Sequence, residues 1–231
     1  MKPIIYLLLT LLPINLLAQN KITDYIVKDP QRIHFYYKNE KSEKFNTIKS
    51  LKEWLKSKKQ KLIFATNGGM FTPEYSPVGL YIEDFKIVKG VNNVKGGGNF
   101  GLKPNGIFFI NSNNEAKICK TEDFKNNRKV KYATQSGPML VVANEIHPAF
   151  SKNSSNLNIR SGVGVLPNGS VLFAISKEEV SFYEFAMFFK QMGCRNALYL
   201  DGAISEMYCP DKSLNQTSGA FGVIIGLAEK Q

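Results

Sequence analysis

The residues best suited to chemistry gather around one carboxylate, Asp201. Four apolar or aromatic residues, Ala197-Leu198-Tyr199-Leu200, lead into it, and Gly202 and Ser205 follow. The run reads as a short buried strand. An acid at the end of such a strand costs free energy unless it is solvated, paired or bound to something. A glycine beside it lets the backbone turn sharply and approach a ligand. The carboxylate would then stand at the mouth of a sheet, where the sites of open sheets sit. Asp-Gly is also an ordinary turn dipeptide, and alone the motif reads as a plain strand-to-turn junction.

Three similar junctions shift that balance. Asn67-Gly68-Gly69-Met70-Phe71 follows the apolar run Leu62 to Thr66. Gln135-Ser136-Gly137-Pro138 precedes Met139-Leu140-Val141-Val142, and Arg160-Ser161-Gly162 precedes Val163-Gly164-Val165. Each alone is a turn; together they suggest a shared polar pocket. Backbone amides beside glycines form anion-binding nests, and a guanidinium grips a phosphate or carboxylate with two hydrogen bonds. The alternatives for Arg160 are a surface position or a structural pair with Asp201.

Other chemistries fit less well. The two histidines are His34, inside a strand pattern, and His147, at a hairpin end before Pro148. No His-x-x-x-His, Cys-x-x-Cys or clustered Asp/His pattern supports a transition-metal hydrolase. No Gly-x-Ser-x-Gly elbow supports a serine esterase. The Gly96-Gly97-Gly98-Asn99 run has no helix pattern after it and reads as a loop over or beside the pocket rather than a P-loop. Glu184 is accounted for by a helix cap and ranks below Asp201 as a catalytic acid.

The elements that must position these residues are mostly strands. Strands are expected at Arg32 to Tyr37, Lys61 to Ala65, Val163 to Ile175 with a turn at Pro167-Asn168-Gly169, and Phe221 to Gly226. Hairpins are expected around Glu83-Asp84, around residues 111–114, and from Pro138 to His147 turning at Ala143-Asn144. One helix starts at Ser50 as N-cap, with Leu51, Trp54 and Leu55 on one face. A second runs from Phe182 to about Met192, with Ser181 and Glu184 as a capping box and Gly193 as its C-cap. Strand-rich order with hairpin connections predicts an α+β class: a single layered domain of mixed β-sheets flanked by a few helices.

The chain's 231 residues carry a formal charge of +11. Residues 1–19, with one lysine, an apolar region to about Leu17 and a small residue at Ala18, read as a signal peptide cleaved near 18–19. The apolar region is too short and too interrupted for a membrane span. The expected product is exported, periplasmic or secreted, with one domain over 20–231. The positive charge favours anionic partners through steering, whereas no nucleic-acid recognition module is present. Of three cysteines, Cys194 and Cys209 flank the Asp201 motif, and a bridge between them would brace it, leaving Cys119 free and buried. Three buried thiols are the alternative.

Taken in order, these segments resemble the phosphodiester glycosidase family: Ala65-Thr66-Asn67-Gly68-Gly69-Met70-Phe71, Pro77-Val78-Gly79-Leu80-Tyr81, Lys103-Pro104-Asn105-Gly106, Gln135 to Val141, Arg160 to Val165, and Ala197 to Ser205. The resemblance spans roughly Ile33 to the C-terminus. It implies an α+β core of mixed sheets and hydrolysis of a sugar-1-phosphodiester at its anomeric C–O bond. Asp201 is then base or nucleophile and Arg160 the phosphate clamp. Asn67, Ser136 and Ser205 provide hydrogen bonds, Gly68, Gly69, Gly137 and Gly202 allow close approach, and Gln135 lines the same site. Family members with Leu-Asp-Gly-Gly-Gly-Ser carry glycines where this chain has Ala203-Ile204, which reshapes the pocket wall. No cofactor is required in this scheme; Ca²⁺ is the ion that oxygen ligands at Asp201 would suit. The alternatives are a non-catalytic binder of an anionic envelope glycan and a metal-dependent phosphodiesterase.

Overall fold

Short apolar runs punctuated by Gly, Asn and Asp cannot each bury both faces alone, so they pair and stack. The computed structural model describes residues 21–231 other than 95, 127, 202 and 203; the expected signal segment, and with it the cleavage point, lies outside the described residues. The first sheet has the order β1 (Ile22–Val27), β12 (Val171–Ser176), β11 (Ser161–Val165), β13 (Ala197–Tyr199), β9 (Met139–Val142), β10 (Glu145–Ile146). The second runs β15 (Leu214–Asn215), β14 (Met207–Cys209), β3 (Gln60–Asn67), β16 (Ile224–Lys230), β2 (His34–Tyr36). The third runs β5 (Lys86–Lys89), β4 (Tyr81–Glu83), β8 (Val130–Ser136), β6 (Gly106–Asn111), β7 (Ala116–Lys120). The α+β class stands, with antiparallel pairing among the described strands where mixed pairing was expected. Parallel neighbours need long crossovers, usually helical, and this chain spends its connections on hairpins.

All three sheets face one central core. Phe35 and Phe64 come from the second sheet, Tyr81, Phe108 and Tyr132 from the third, and Phe173 and Leu198 from the first. Their rings meet at 5.1 Å (Phe64–Phe173) and 5.8 Å (Phe35–Phe108) between centroids, distances at which offset and edge contacts are favourable. Helix α1 (Ile48–Ser57) covers the outer face of the second sheet through Ile48, Leu51 and Leu55. Helix α3 (Phe182–Gln191) covers the outer face of the first through Phe182, Phe185 and Phe189. A single turn, α2 (Gly98–Gly101), lies between them in sequence.

Local signals account for the second long helix. Ser181 Oγ accepts from Glu184 N at 3.1 Å, and Glu184 Oε2 accepts from Ser181 N at 2.9 Å. Gly193 follows the helix at φ +85°, a backbone angle that costs glycine little. Other boundaries move. The first helix is capped by Thr47, whose Oγ1 accepts from Ser50 N at 3.0 Å, so Ser50 is inside it. Ile48, fully buried, extends the apolar face a turn earlier. The last strand starts at Ile224 rather than Phe221 and runs into Glu229 and Lys230, which pair with Lys61 and Gln60. Strand β1 was not expected. The proposed bridge does not form: all three cysteines are free, and Cys194 packs in the core under α3 while Cys209 packs in the central core. Burial pushes the Cys194 thiol up to about 12 and the half-buried Cys119 thiol to about 11, which keeps both protonated and unreactive.

Candidate functional site

The other three polar-glycine junctions converge on the end of β13 and the Asp201 segment that follows it. Tyr199 N donates to Pro138 O at 3.1 Å, Leu200 N to Ser161 O at 3.0 Å, and Asp201 N to Gly68 O at 3.3 Å. Each step of the chain leaving the sheet is therefore held by a different junction. The Asn67 junction is tied in turn to the end of β8, where Gly69 N donates to Thr134 Oγ1 at 3.1 Å. A side chain at Gly69 would meet Gln135 O at 2.3 Å, so only glycine permits this approach.

Asn67 is the hub. It is 1% exposed, and its Nδ2 donates to Asp201 O at 2.8 Å. Its Oδ1 accepts from Ser161 Oγ at 3.0 Å and lies 3.4 Å from Glu206 N. Ser205 Oγ lies 3.1 Å from Ser161 Oγ and 3.2 Å from Asp201 O; its single proton serves one of these at a time. Asn67, Ser161 and Ser205 thus fix the backbone of Asp201. Ser161 was visible only as a member of its junction; its place on the Asn67 face follows from the register of β11 against β13.

Alternation carries the side chains beyond that network to two faces. Leu198 and Leu200 enter the central core, whereas Tyr199 enters the core under α3. Burial pushes the Tyr199 phenol up to about 12, with Arg160 opposing and Asp201 reinforcing the shift. Tyr199 therefore lies within electrostatic reach of both Arg160 and Asp201. At neutral pH the Tyr199 hydroxyl stays protonated and remains a hydrogen-bond donor.

Arg160 is 1% exposed. Its Nε donates to Val180 O at 2.8 Å and its Nη2 to Asn156 O at 2.9 Å. The guanidinium carbon lies 3.6 Å from the centroid of the Phe182 ring and 5.6 Å from that of Tyr199, within cation–π range. The two-pronged grip expected of Arg160 is thus directed inward, onto main-chain carbonyls. The cause is α3, whose first residue, Phe182, lies over the guanidinium.

The remaining expected residues divide. Gln135 is saturated: its Oε1 accepts from Leu80 N and Asn92 N at 2.9 Å each, and its Nε2 donates to Asn92 O at 2.7 Å. It anchors a surface strap rather than presenting a free amide. Gly68 N donates to Val223 O at 2.8 Å, so the Gly68 and Gly69 amides are both used internally rather than forming an anion nest. Gly137 packs against Asn105, whose Cβ would lie 2.6 Å from an added Cβ. Ser136 Oγ is fully enclosed and has no hydrogen-bond partner among the described residues. Gly202 and Ala203 lie outside the described residues, while Ile204 beside them is 38% exposed. Glu206, which carries no motif signal, joins the network through its main chain: Thr66 Oγ1 donates to Glu206 O at 3.0 Å.

Both histidines are structural. His34 Nδ1 lies 2.9 Å from Tyr132 Oη. His147 Nδ1 accepts from Ala149 N at 3.1 Å, so its Nε2 carries the proton and donates to Lys103 O at 2.9 Å. That bond fixes the loop beside Gly137, where a cavity of about 610 Å³ is lined by Lys103, Asn105, Lys120, Thr121 and neighbouring residues. Among the described residues no three His, Cys, Asp or Glu side chains group as a metal site, and no helix is long and apolar enough to cross a membrane.

The chain is similar to known proteins in sequence and in fold. The chain is 31% identical to the uncharacterised protein YigE of Escherichia coli K12 over 240 residues, covering 98% of this chain and 92% of that protein. Its fold matches the zebrafish N-acetylglucosamine-1-phosphodiester alpha-N-acetylglucosaminidase catalytic domain, auto-inhibited by its pro-peptide, at a TM-score of 0.63 and 15% identity over 89% of this chain and 83% of that one. A hypothetical protein from Synechocystis matches at a TM-score of 0.54 and 13% identity, over 90% of this chain and 59% of that one. The phosphodiester glycosidase family model matches residues 60–223, a span that holds all four junctions and the Asn67 network, and the chain belongs to that family.

Proposed function

We propose that this chain is an exported hydrolase that cleaves the anomeric C–O bond of a sugar-1-phosphodiester, with Asp201 as base or nucleophile. The observation that carries the reading is the convergence of the other three junctions on the backbone from Tyr199 to Asp201, within a chain of this family. Such convergence fixes the backbone that carries the carboxylate, and positioned catalysis depends on such fixing.

The chemistry suits a site with a single dominant acid. Ordinary glycosidases pair two carboxylates because an alcohol leaves poorly without a proton. A phosphodiester departs as a phosphate monoester, a much weaker base, so the demand for a general acid falls. Asp201 attacks the anomeric carbon or deprotonates the attacking water. Tyr199, a donor at neutral pH, and the buried charge of Arg160 beside it supply electrostatic stabilisation from behind the strand end. Arg160 acts in this scheme as a buried charge rather than as a clamp that touches phosphate. Asn67, Ser161 and Ser205 are positioning residues, while Ser136 is enclosed and offers its hydroxyl to no open surface. The scheme needs no cofactor; Ca²⁺ bound at Asp201 is the competing role for that carboxylate.

The test is release of sugar from a panel of sugar-1-phosphodiesters by the wild type and Asp201→Asn. A drop of about 10³-fold or more in kcat with an unchanged melting temperature is the expected result. A folded variant with undiminished turnover removes Asp201 from the chemistry. Tight binding of an anionic glycan without turnover by the wild type points instead to a binding protein. A rate abolished by chelation points to the metal-dependent reading.

A further inference from the structure

Five of the eight large apolar side chains exposed among the described residues fall within ten consecutive positions: Phe85 49%, Ile87 58%, Val88 49%, Val91 39% and Val94 68%. They lie on the β4–β5 hairpin and the strap after it. Asp84 and Phe85 turn the hairpin at φ +46° and +65°, the left-handed pair that tight hairpins use. All four residues of β5 are exposed, so the strand stands out at the edge of the third sheet instead of covering the core. Lys86 and Lys89 flank Ile87 and Val88, after Glu83 and Asp84 at the turn.

We propose that this hairpin docks on an anionic lipid bilayer surface. An apolar strip of this density exceeds the scattered exposure normal for a soluble surface, and its composition selects the partner. Apolar side chains flanked by lysines match the boundary between acyl chains and anionic headgroups, where the lysine stems lie along apolar surface and the ammonium groups reach the phosphates. The chain's charge of +11 acts in the same direction. Pairing with a second copy through β5 is disfavoured by the same lysines, which block edge-to-edge strand addition.

The strap after the strip also reaches the cavity beside Gly137. Gln135 holds Asn92 at both its N–H and its carbonyl, and Asn93 lines the cavity beside Gly137. A docked hairpin therefore sets that end of the molecule at the bilayer. The proposal rests on none of the catalytic assignments.

The test is co-sedimentation of the chain from residue 20 onward with phosphatidylcholine vesicles, with and without about one third of the lipid as phosphatidylglycerol. Binding to the anionic vesicles, weakened by salt, is expected. The double change Ile87→Asp/Val88→Asp, on exposed positions, is expected to weaken it at least tenfold with an unaltered circular dichroism spectrum. Lys86→Glu/Lys89→Glu is expected to weaken it by at least about fivefold per lysine. Equal binding by wild type and hairpin variants, or equal binding to neutral and anionic vesicles, overturns the proposal. So does a dimer in sedimentation velocity that the Ile87→Asp/Val88→Asp change dissolves, since the occupant is then a second copy.

Discussion

Replacing Asn67 by Asp is the sharpest probe of the site because it keeps shape and reverses one hydrogen bond. Oδ1 keeps its role as acceptor from Ser161 Oγ. The amide Nδ2, however, donates to Asp201 O at 2.8 Å, and a carboxylate oxygen there sets acceptor against acceptor in a site 1% exposed. The lost bond costs about 1 kcal/mol, and the stranded carbonyl a further roughly 1–3 kcal/mol. The sum is about 2–4 kcal/mol, or roughly 10 °C in Tm for a domain of this size. The pH dependence has a definite sign. Burial raises the new carboxyl's folded pKa above its unfolded value, and the protonated form donates to Asp201 O again. The folded variant then binds a proton that the unfolded chain releases, so its stability is retained below about pH 4 and lost as pH rises through the folded pKa. Urea melts followed by Trp54 fluorescence across that range would check this. Asn67→Asp as stable as wild type at neutral pH, or a deficit that does not change with pH, would refute the hub role of Asn67. Turnover of a sugar-1-phosphodiester should fall with the Asp201 geometry, and full turnover in a destabilised variant would separate stability from catalysis.

Two further outcomes follow from the same geometry. Arg160→Lys, which loses the stacking and the divergent bonds to Val180 O and Asn156 O, should lower stability by about 2–4 kcal/mol; lost turnover with unchanged melting would restore the direct phosphate grip. Glu83, whose carboxyl burial raises to about 7 while the Tyr81 hydroxyl donates to it at 2.8 Å, binds a proton in the fold that the unfolded chain releases near pH 4. Its contribution is therefore full below that unfolded value and lost as pH rises through about 7. Glu83→Gln should match wild type in acid and exceed it by about 1–2 kcal/mol above pH 8, after solvent screening; equal melts at both ends would show that the carboxyl ionises without cost.

What the sequence by itself determined was local. The Ser181–Glu184 box, Gly193 after its helix and the hairpin turns depend on neighbours a few residues apart, and their energetics survive in any fold. The four junctions were legible for a related reason: apolar runs that stop at Asn, Gln, Arg or Asp beside glycine leave polar groups at strand ends. Which atoms those groups meet was decided only by tertiary structure. The register of β11 against β13 placed Ser161 on Asn67 and sent Arg160 to the opposite face. The docking of Phe182 turned an apparent phosphate clamp into an enclosed cation. Cys194 and Cys209, fifteen positions apart in the chain, are assigned to separate cores. Strand ends can be read from spacing because the period of a strand is a property of the backbone; partners across sheets cannot, because a shift of one residue in register exchanges the two faces.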